Sequence, residues 1–300
     1  MNDAGDTKRR RDLAKNVEIY ATSWTLYGDA IPGITSEVAK FGFRERVEAA
    51  RKAGFSGLGL VHEDYLHLLN KHGLAVMKAI LADNGMRLIE TECLTDWFTT
   101  GERRKQSDIV RRDLIKGAQD LGSRHIKVIG DYIDPSDDAW PIEHMAKEFA
   151  GLCADAADAG LIIAFELMPH ANIKTLKQGV EVVRTSGAKN GGLLLDIWHV
   201  VRGGIDYADI ATLPTGLLAW IELDDADKER VGTFHEDTVY RRRLCGEGSF
   251  DIPGFLRAVQ AAGYDGAYGV EMISDEQRRL PVDQAARVAY RTTRAQFDLI

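Results

Sequence analysis

Four carboxylates stand at the ends of short apolar runs in the C-terminal half of this sequence. Glu166 follows Leu161–Phe165 (LIIAF) and Asp196 follows Gly192–Leu195 (GLLL). Glu222 follows Leu217–Ile221 (LLAWI), and Glu271 follows Ala267–Val270 (AYGV). A carboxylate at the end of a buried strand costs free energy unless it meets a cation or hydrogen-bond donors. One such acid reads equally well as a helix N-cap or a loop hydrogen bond. Four in succession read as the ligands Glu166, Asp196, Glu222 and Glu271 of one divalent cation facing a polar substrate. An all-oxygen donor set favours Mn²⁺, with Mg²⁺ and Co²⁺ as alternatives, over Zn²⁺.

Short strands alternating with helical runs must position these acids. Apolar strand-like runs occur at Val17–Ser23, Gly57–Leu60, Arg87–Glu92, Arg124–Ile129, Leu161–Phe165, Gly192–Leu195, Leu217–Ile221 and Ala267–Val270. Amphipathic runs between them predict helices over Phe41–Ala53, Lys71–Asn84, Arg104–Leu121, Pro141–Ala159, Thr175–Ser186, Tyr207–Ala211, Ile252–Ala262 and Val282–Phe297. A loop is expected after Asp196, and a long polar loop runs on to Ser249. Helix-length connections between short strands imply parallel βαβ units. Eight of them predict an α/β fold, a single (β/α)8 barrel with its helices outside. A doubly wound open sheet is the alternative, weakened because no GxGxxG follows the first strand. Residues 1–16 read as a flexible polar tail and residues 17–300 as one barrel domain. In such a barrel the C-terminal strand ends face one site, and neighbouring strands lie about 5 Å apart. Trp24 after the first strand and His62 after the second then become candidate substrate contacts. Asp96 is expected to cap a helix, and His170 to lie in a solvated loop. Lys127, inside the fourth strand, needs a carboxylate partner.

Composition removes several classes. The net charge is −8 and the pI near 5.5, which argues against a nucleic-acid surface. The three cysteines, Cys93, Cys153 and Cys245, form no CxxC pattern, consistent with a reducing compartment. No apolar run approaches the roughly 18 residues of a membrane span. The first residues lack the apolar centre of a secretory signal. The reading is a cytoplasmic enzyme with a small-molecule substrate, without nucleic acid or membrane partners, as a homo-oligomer or with another subunit.

A Glu after the fifth strand, the DxxH of Asp196–His199 after the sixth and a Glu after the eighth resemble the xylose isomerase-like barrel superfamily. KVIGD (Lys127–Asp131), GEGSFD (Gly246–Asp251) and LTDWF (Leu94–Phe98) agree in style, and the resemblance runs from Val17 to Phe297. It implies that Glu166, Asp196 and Glu271 ligate a metal. It implies that Glu166 and Glu271 also form the acid–base pair, that His199 contacts substrate, and that Arg242 or Arg243 grips substrate oxygens. The sequence departs from the pattern at the seventh strand, where Glu222 stands for the usual His or Gln. It departs again at Cys245, which precedes the glycine of the late loop where Pro is frequent.

The chemistry follows from charge. A divalent ion polarises a carbonyl and stabilises the enediolate left by proton removal, while one Glu takes the proton and the other returns it. Isomerisation or epimerisation of a sugar, keto-sugar or polyol is the first expectation. Expulsion of a β-substituent would make the same site a dehydratase or lyase acting on a keto-inositol or 3-keto-glycoside. A glycoside hydrolase also uses two carboxylates but needs no metal. A non-catalytic sugar- or partner-binding barrel is the fourth class.

Overall fold

The computed structural model describes residues 17–131 and 140–300. The expected N-terminal tail, residues 1–16, lies outside the described residues. Strands β1 (Ile19–Ala21), β2 (Gly57–Val61), β3 (Arg87–Leu94), β4 (His125–Ile129), β5 (Ile162–Glu166), β6 (Gly191–Asp196) and β7 (Leu218–Leu223) belong to one sheet. The last chain segment of that sheet is β10 (Tyr268–Val270). The order β1-β10-β7-β6-β5-β4-β3-β2 is closed and every pairing is parallel. The fold is therefore the (β/α)8 barrel, and closure excludes the doubly wound sheet.

Side chains alternate across each strand, so one row faces the helices and the other fills the barrel. Ile163 and Phe165 of β5, and Leu193 and Leu195 of β6, join the large core under the helices. Ala164, Leu194, Tyr20 and Trp220 form a separate inner cluster. The next inward positions are polar: Lys127 on β4, Glu166 on β5, Asp196 on β6, Glu222 on β7, and Glu271 just past β10. The interior thus changes from apolar to charged as the strands approach their C-terminal ends. Register places Asp196 beside Glu222, and Glu271 lies two residues past Gly269, the partner of Glu222.

The helices around the barrel are α1 (Phe43–Ala53), α2 (His62–His72), α3 (Leu74–Asp83), α4 (Gly101–Leu121), α5 (Ile142–Ala157), α6 (Leu176–Ser186), α7 (Ile197–Arg202), α8 (Tyr207–Ala211), α9 (Phe234–Tyr240), α10 (Ile252–Ala261), α11 (Asp275–Arg278) and α12 (Val282–Gln296). Three departures from the sequence expectation bear on the site. The helix expected over Lys71–Asn84 is α3, Leu74–Asp83, and Gly73 at φ 75° separates it from α2, His62–His72, which was not expected. The loop expected after Asp196 is helix α7, which Asp196 caps by accepting the Trp198 N–H at 2.6 Å. The long polar loop after Glu222 is largely structured. It holds α9, started by a Thr233–Glu236 capping box, and an antiparallel ribbon of β8 (Asp225–Ala226) and β9 (Arg242–Arg243). Asp225 pins that ribbon, accepting backbone N–H groups from Ala226, Gly246, Gly248 and Phe250 at 2.8–3.0 Å.

Candidate active site

The strand-end acids converge. Ligand oxygens of Glu166, Asp196, Glu222 and Glu271 all lie within 4.8 Å of one another. All four are buried: Asp196 and Glu222 are 0 % exposed, Glu166 and Glu271 4 %. A second group, Glu166, Asp196 and His199, meets the same limit. Glu166 Oε1 is buried and has no hydrogen-bond partner among the described residues. An orphaned carboxylate oxygen facing three further carboxylates fits a divalent cation. The donor set can hold one ion, with Glu166 offering an oxygen that accepts no hydrogen bond among the described residues.

Two buried cations also enter the cluster. Lys127 Nζ lies 2.9 Å and 3.0 Å from the two Glu222 oxygens. It is 2.6 Å from Glu271 Oε1 and 3.0 Å from Glu92 Oε2. Burial alone would lower its pKa, but Glu222, Glu271 and Glu92 outweigh burial and raise it well above the ordinary value. Arg242 donates from Nη1 to Asp196 Oδ2 at 2.6 Å and to Asp224, and its Nη2 lies 3.0 Å from Glu271 Oε2 as an ion pair. Thr238 Oγ1 accepts from Arg242 Nη2 at 2.9 Å and holds the guanidinium in plane. Burial pushes the Glu166 carboxyl up to about 8, Lys127 opposes the shift, and Glu271 and Asp196 add to it. Glu222 and Asp224 are likewise raised well above the carboxylate range, first by burial.

The cluster opens into a cavity of about 300 Å³. Glu92, Lys127, Glu166, Arg242 and Glu271 form its charged wall, and Trp24, Met168, His170 and Ile273 line other parts of it. Trp24 lines the cavity and packs against Tyr27 at a centroid distance of 5.6 Å. His199 lines the cavity with Nε2 3.4 Å from Glu166 Oε1, and burial holds its pKa well below the ordinary range. Arg242 reaches the cavity. Arg243 turns away to Asp227 at 3.1 Å and Glu276 at 3.2 Å. His62 also departs from its expected place. It begins α2 and meets Asp113 of α4 at 3.0 Å, outside the cavity lining. Asp96 pairs with Arg103 at 2.5 Å, while α4 takes Thr100 as its N-cap and has no side-chain cap.

Sequence reasoning missed four members. His170, expected in solvent, lines the cavity and stacks on Phe234 at 5.9 Å; burial drops its pKa to about 4. Asp224 sits beside Glu222 in WIELDD and was hidden by its neighbours. His235 and Thr238 arrive from α9, a helix not expected in a polar loop. The capping-box pattern Thr233–Glu236 was the signal available.

A family model described as xylose isomerase-like TIM barrel matches residues 47–293. A 3-dehydroshikimate dehydratase of Pseudomonas aeruginosa is 27% identical over 242 residues, 79% of this chain and 37% of that protein. An inosose isomerase of Halalkalibacterium halodurans is 28% identical over 137 residues, 45% of this chain and 47% of that protein. The chain spans less than half the length of these curated relatives. Among solved structures, the IOLI protein with a binding zinc atom superposes with a TM-score of 0.81 at 17% identity, covering 94% of this chain and 98% of that one. A D-allulose 3-epimerase from Methylomonas sp. superposes with a TM-score of 0.68 at 17% identity, covering 93% and 98%. At these identities the two structures support the fold. No helix among the described residues is long and apolar enough to cross a membrane.

Proposed function

Because the chain belongs to the xylose isomerase-like TIM barrel family, we propose that it is a divalent-metal-dependent isomerase or epimerase of a sugar, keto-sugar or polyol. Residues 17–300 serve as one barrel domain. The observation that carries this reading is that Glu166 and Glu271 line one cavity and belong to one carboxylate cluster. Glu166, Asp196 and Glu271 hold the ion, with Glu222 the fourth carboxylate within reach. When bound, a divalent ion supplies polarisation of a carbonyl and stabilisation of negative charge on oxygen.

The residues do the rest. Glu166, whose pKa near 8 lies close to neutral pH, exchanges a proton at the carbon beside the carbonyl. Glu271 exchanges the second proton, held in place by Lys127 and Arg242 through its two oxygens. Arg242 also presents its guanidinium to substrate oxygens. His199, neutral, accepts or donates one hydrogen bond to a hydroxyl, and Trp24 offers its ring face to the carbon skeleton. The buried wall excludes water from the proton-transfer path.

A second reading is a dehydratase or lyase at the same site, acting on a keto-inositol or a 3-keto-glycoside. It is favoured by similarity to a 3-dehydroshikimate dehydratase over 79% of this chain. One experiment separates the two. The protein, loaded with Mn²⁺, is incubated in D₂O with ketoses, inososes, 3-keto-glycosides and 3-dehydroshikimate, and products are followed by NMR. The first reading expects isomeric products with solvent deuterium beside the carbonyl. Unsaturated or cleaved products support the second. Isomeric products with no solvent label overturn the proton-transfer scheme of the first reading; an elimination returns no proton to that carbon and is judged by its unsaturated or cleaved product.

A further inference from the structure

We propose that Lys127 is a fixed cation of this centre, a positioning residue that neutralises Glu222 and leaves the divalent ion to Glu166, Asp196 and Glu271. The proposal rests on the metal reading above. It assigns Glu222 a different partner from the one its place in the strand order suggests.

The argument begins with donors and lone pairs. A lysine ammonium has three donors and no acceptor. Lys127 Nζ meets three carboxylates, Glu92, Glu222 and Glu271, on β3, on β7 and just past β10. It therefore crosses the barrel interior as a strut from β4, with its donor capacity filled. Glu222 is engaged on both oxygens. Oε1 receives Lys127 at 2.9 Å and the Trp220 indole N–H at 3.2 Å, and Oε2 receives Lys127 at 3.0 Å. Both Glu222 oxygens are thus engaged, Oε2 by the ammonium and Oε1 by the indole with the ammonium beside it. Glu166 stands at the other extreme, with Oε1 taking no hydrogen bond among the described residues.

The seat of Glu222 is also built from below. A Cβ on Gly269 would lie 3.0 Å from Trp220 Nε1 and 3.1 Å from Glu222 Cγ. The glycine lets the indole and the carboxylate pack against β10, and the His125 ring lies 4.7 Å from the indole. Glu222 is thus held low in the barrel by groups that have no role toward an ion. The two cations divide the acids between them. Arg242 takes Asp196, Asp224 and Glu271. Lys127 takes Glu92, Glu222 and Glu271, and Glu222 has no contact with Arg242 among the described ion pairs. The Glu222–Lys127 pair is neutral as a unit. An ion held by the other three acids then meets three carboxylates beside a neutral pair, whose ammonium also positions Glu271.

The test is Mn²⁺ titration of the metal-stripped full chain by calorimetry, with metal content measured independently. The variants are E222M/K127M, which removes the neutral pair, and K127M, which frees the Glu222 carboxylate. The double variant is expected to bind one Mn²⁺ with affinity within about tenfold of the parent, the lower end of what losing an outer partner costs. K127M is expected to bind at least about tenfold tighter, because a fourth carboxylate becomes available and a like charge is removed. A loss greater than about tenfold in E222M/K127M makes Glu222 a ligand and overturns the proposal. An unchanged or weaker affinity in K127M overturns it as well. If the double variant fails to fold by circular dichroism, the K127M titration decides by its own criterion. A parent that binds no divalent ion sinks the metal reading and this inference with it. A parent that binds while the variants fail sinks this inference alone.

Discussion

Glu166 concentrates the chemistry at the scale of a single residue. Its carboxyl is buried beside Asp196 and Glu271, and its pKa stands at about 8. Below that pH it holds a proton, and an ion needs the carboxylate form. Metal affinity should therefore rise with pH and level off above about 8, with close to one proton released per ion bound at pH 7. Calorimetry in buffers of different ionisation enthalpy counts that proton, and a pH-independent affinity between 6 and 8 would remove Glu166 from the ligand set. Replacing Glu166 or Glu271 by Gln keeps the shape and an oxygen but ends proton exchange. Each change should lower turnover by on the order of 10²–10⁴-fold with little effect on substrate binding. Asp196→Ala should cost most of the metal affinity and also remove the α7 cap, so its melting temperature falls as well.

Individual elements differ in how they support the site. The ribbon β8–β9 carries Arg242, and Asp225 holds the ribbon by accepting four backbone N–H groups. Asp225→Ala strands those donors, so it should cost about 2–4 kcal/mol of stability. Metal binding should weaken in parallel, because the Arg242 guanidinium that braces Asp196 and Glu271 loses its platform. Thr175→Ala provides the contrast. Thr175 and Gln178 form the capping box of α6, on the outside of the barrel. Its loss should cost about 1 kcal/mol and leave Mn²⁺ affinity unchanged. Parallel urea melts and titrations check both, and equal effects of the two changes on metal binding would contradict this division.

The whole molecule carries an unusual load of buried titratable groups, and they set its response to acid. His125, His170 and His199 are all held below the ordinary histidine pKa, first by burial. For His170 the folded value is about 4, against roughly 6.5 in an unfolded chain. Between these values the unfolded state binds the proton and the folded state does not. Stability from this residue is therefore complete above about 6.5 and is lost as pH falls toward 4. Glu90, Glu166 and Glu222 have raised values and act in the opposite direction. The difference between the parent and His170→Phe isolates the histidine. Phe extends the stack on Phe234 without a titrating group, so the variant should gain on the order of 1–2 kcal/mol relative to the parent between pH 7 and pH 5. Urea melts at the two pH values measure it, and no relative gain would mean that His170 is not held neutral by the fold.

The amino-acid sequence alone determined the barrel and the convergence of four acids. Apolar runs of strand length separated by helices leave few topologies, and period-two alternation sends Glu166, Asp196, Glu222 and Glu271 to the interior whatever else surrounds them. Local signals misled where a choice depended on distant partners. Arg242 and Arg243 are neighbours in the chain, and only the β8–β9 pairing decides which of them enters the cluster. His62 and His170 each follow a strand. Asp113 on α4 meets one, while Phe234 on α9 covers the other against the cavity. Lys127 announces only that it needs a carboxylate. Which three it finds depends on closing the barrel, since Glu92, Glu222 and Glu271 lie 35, 95 and 144 residues away along the chain. Strand order, register and loop packing bring such groups within 3 Å, and those are properties of the closed sheet rather than of any segment.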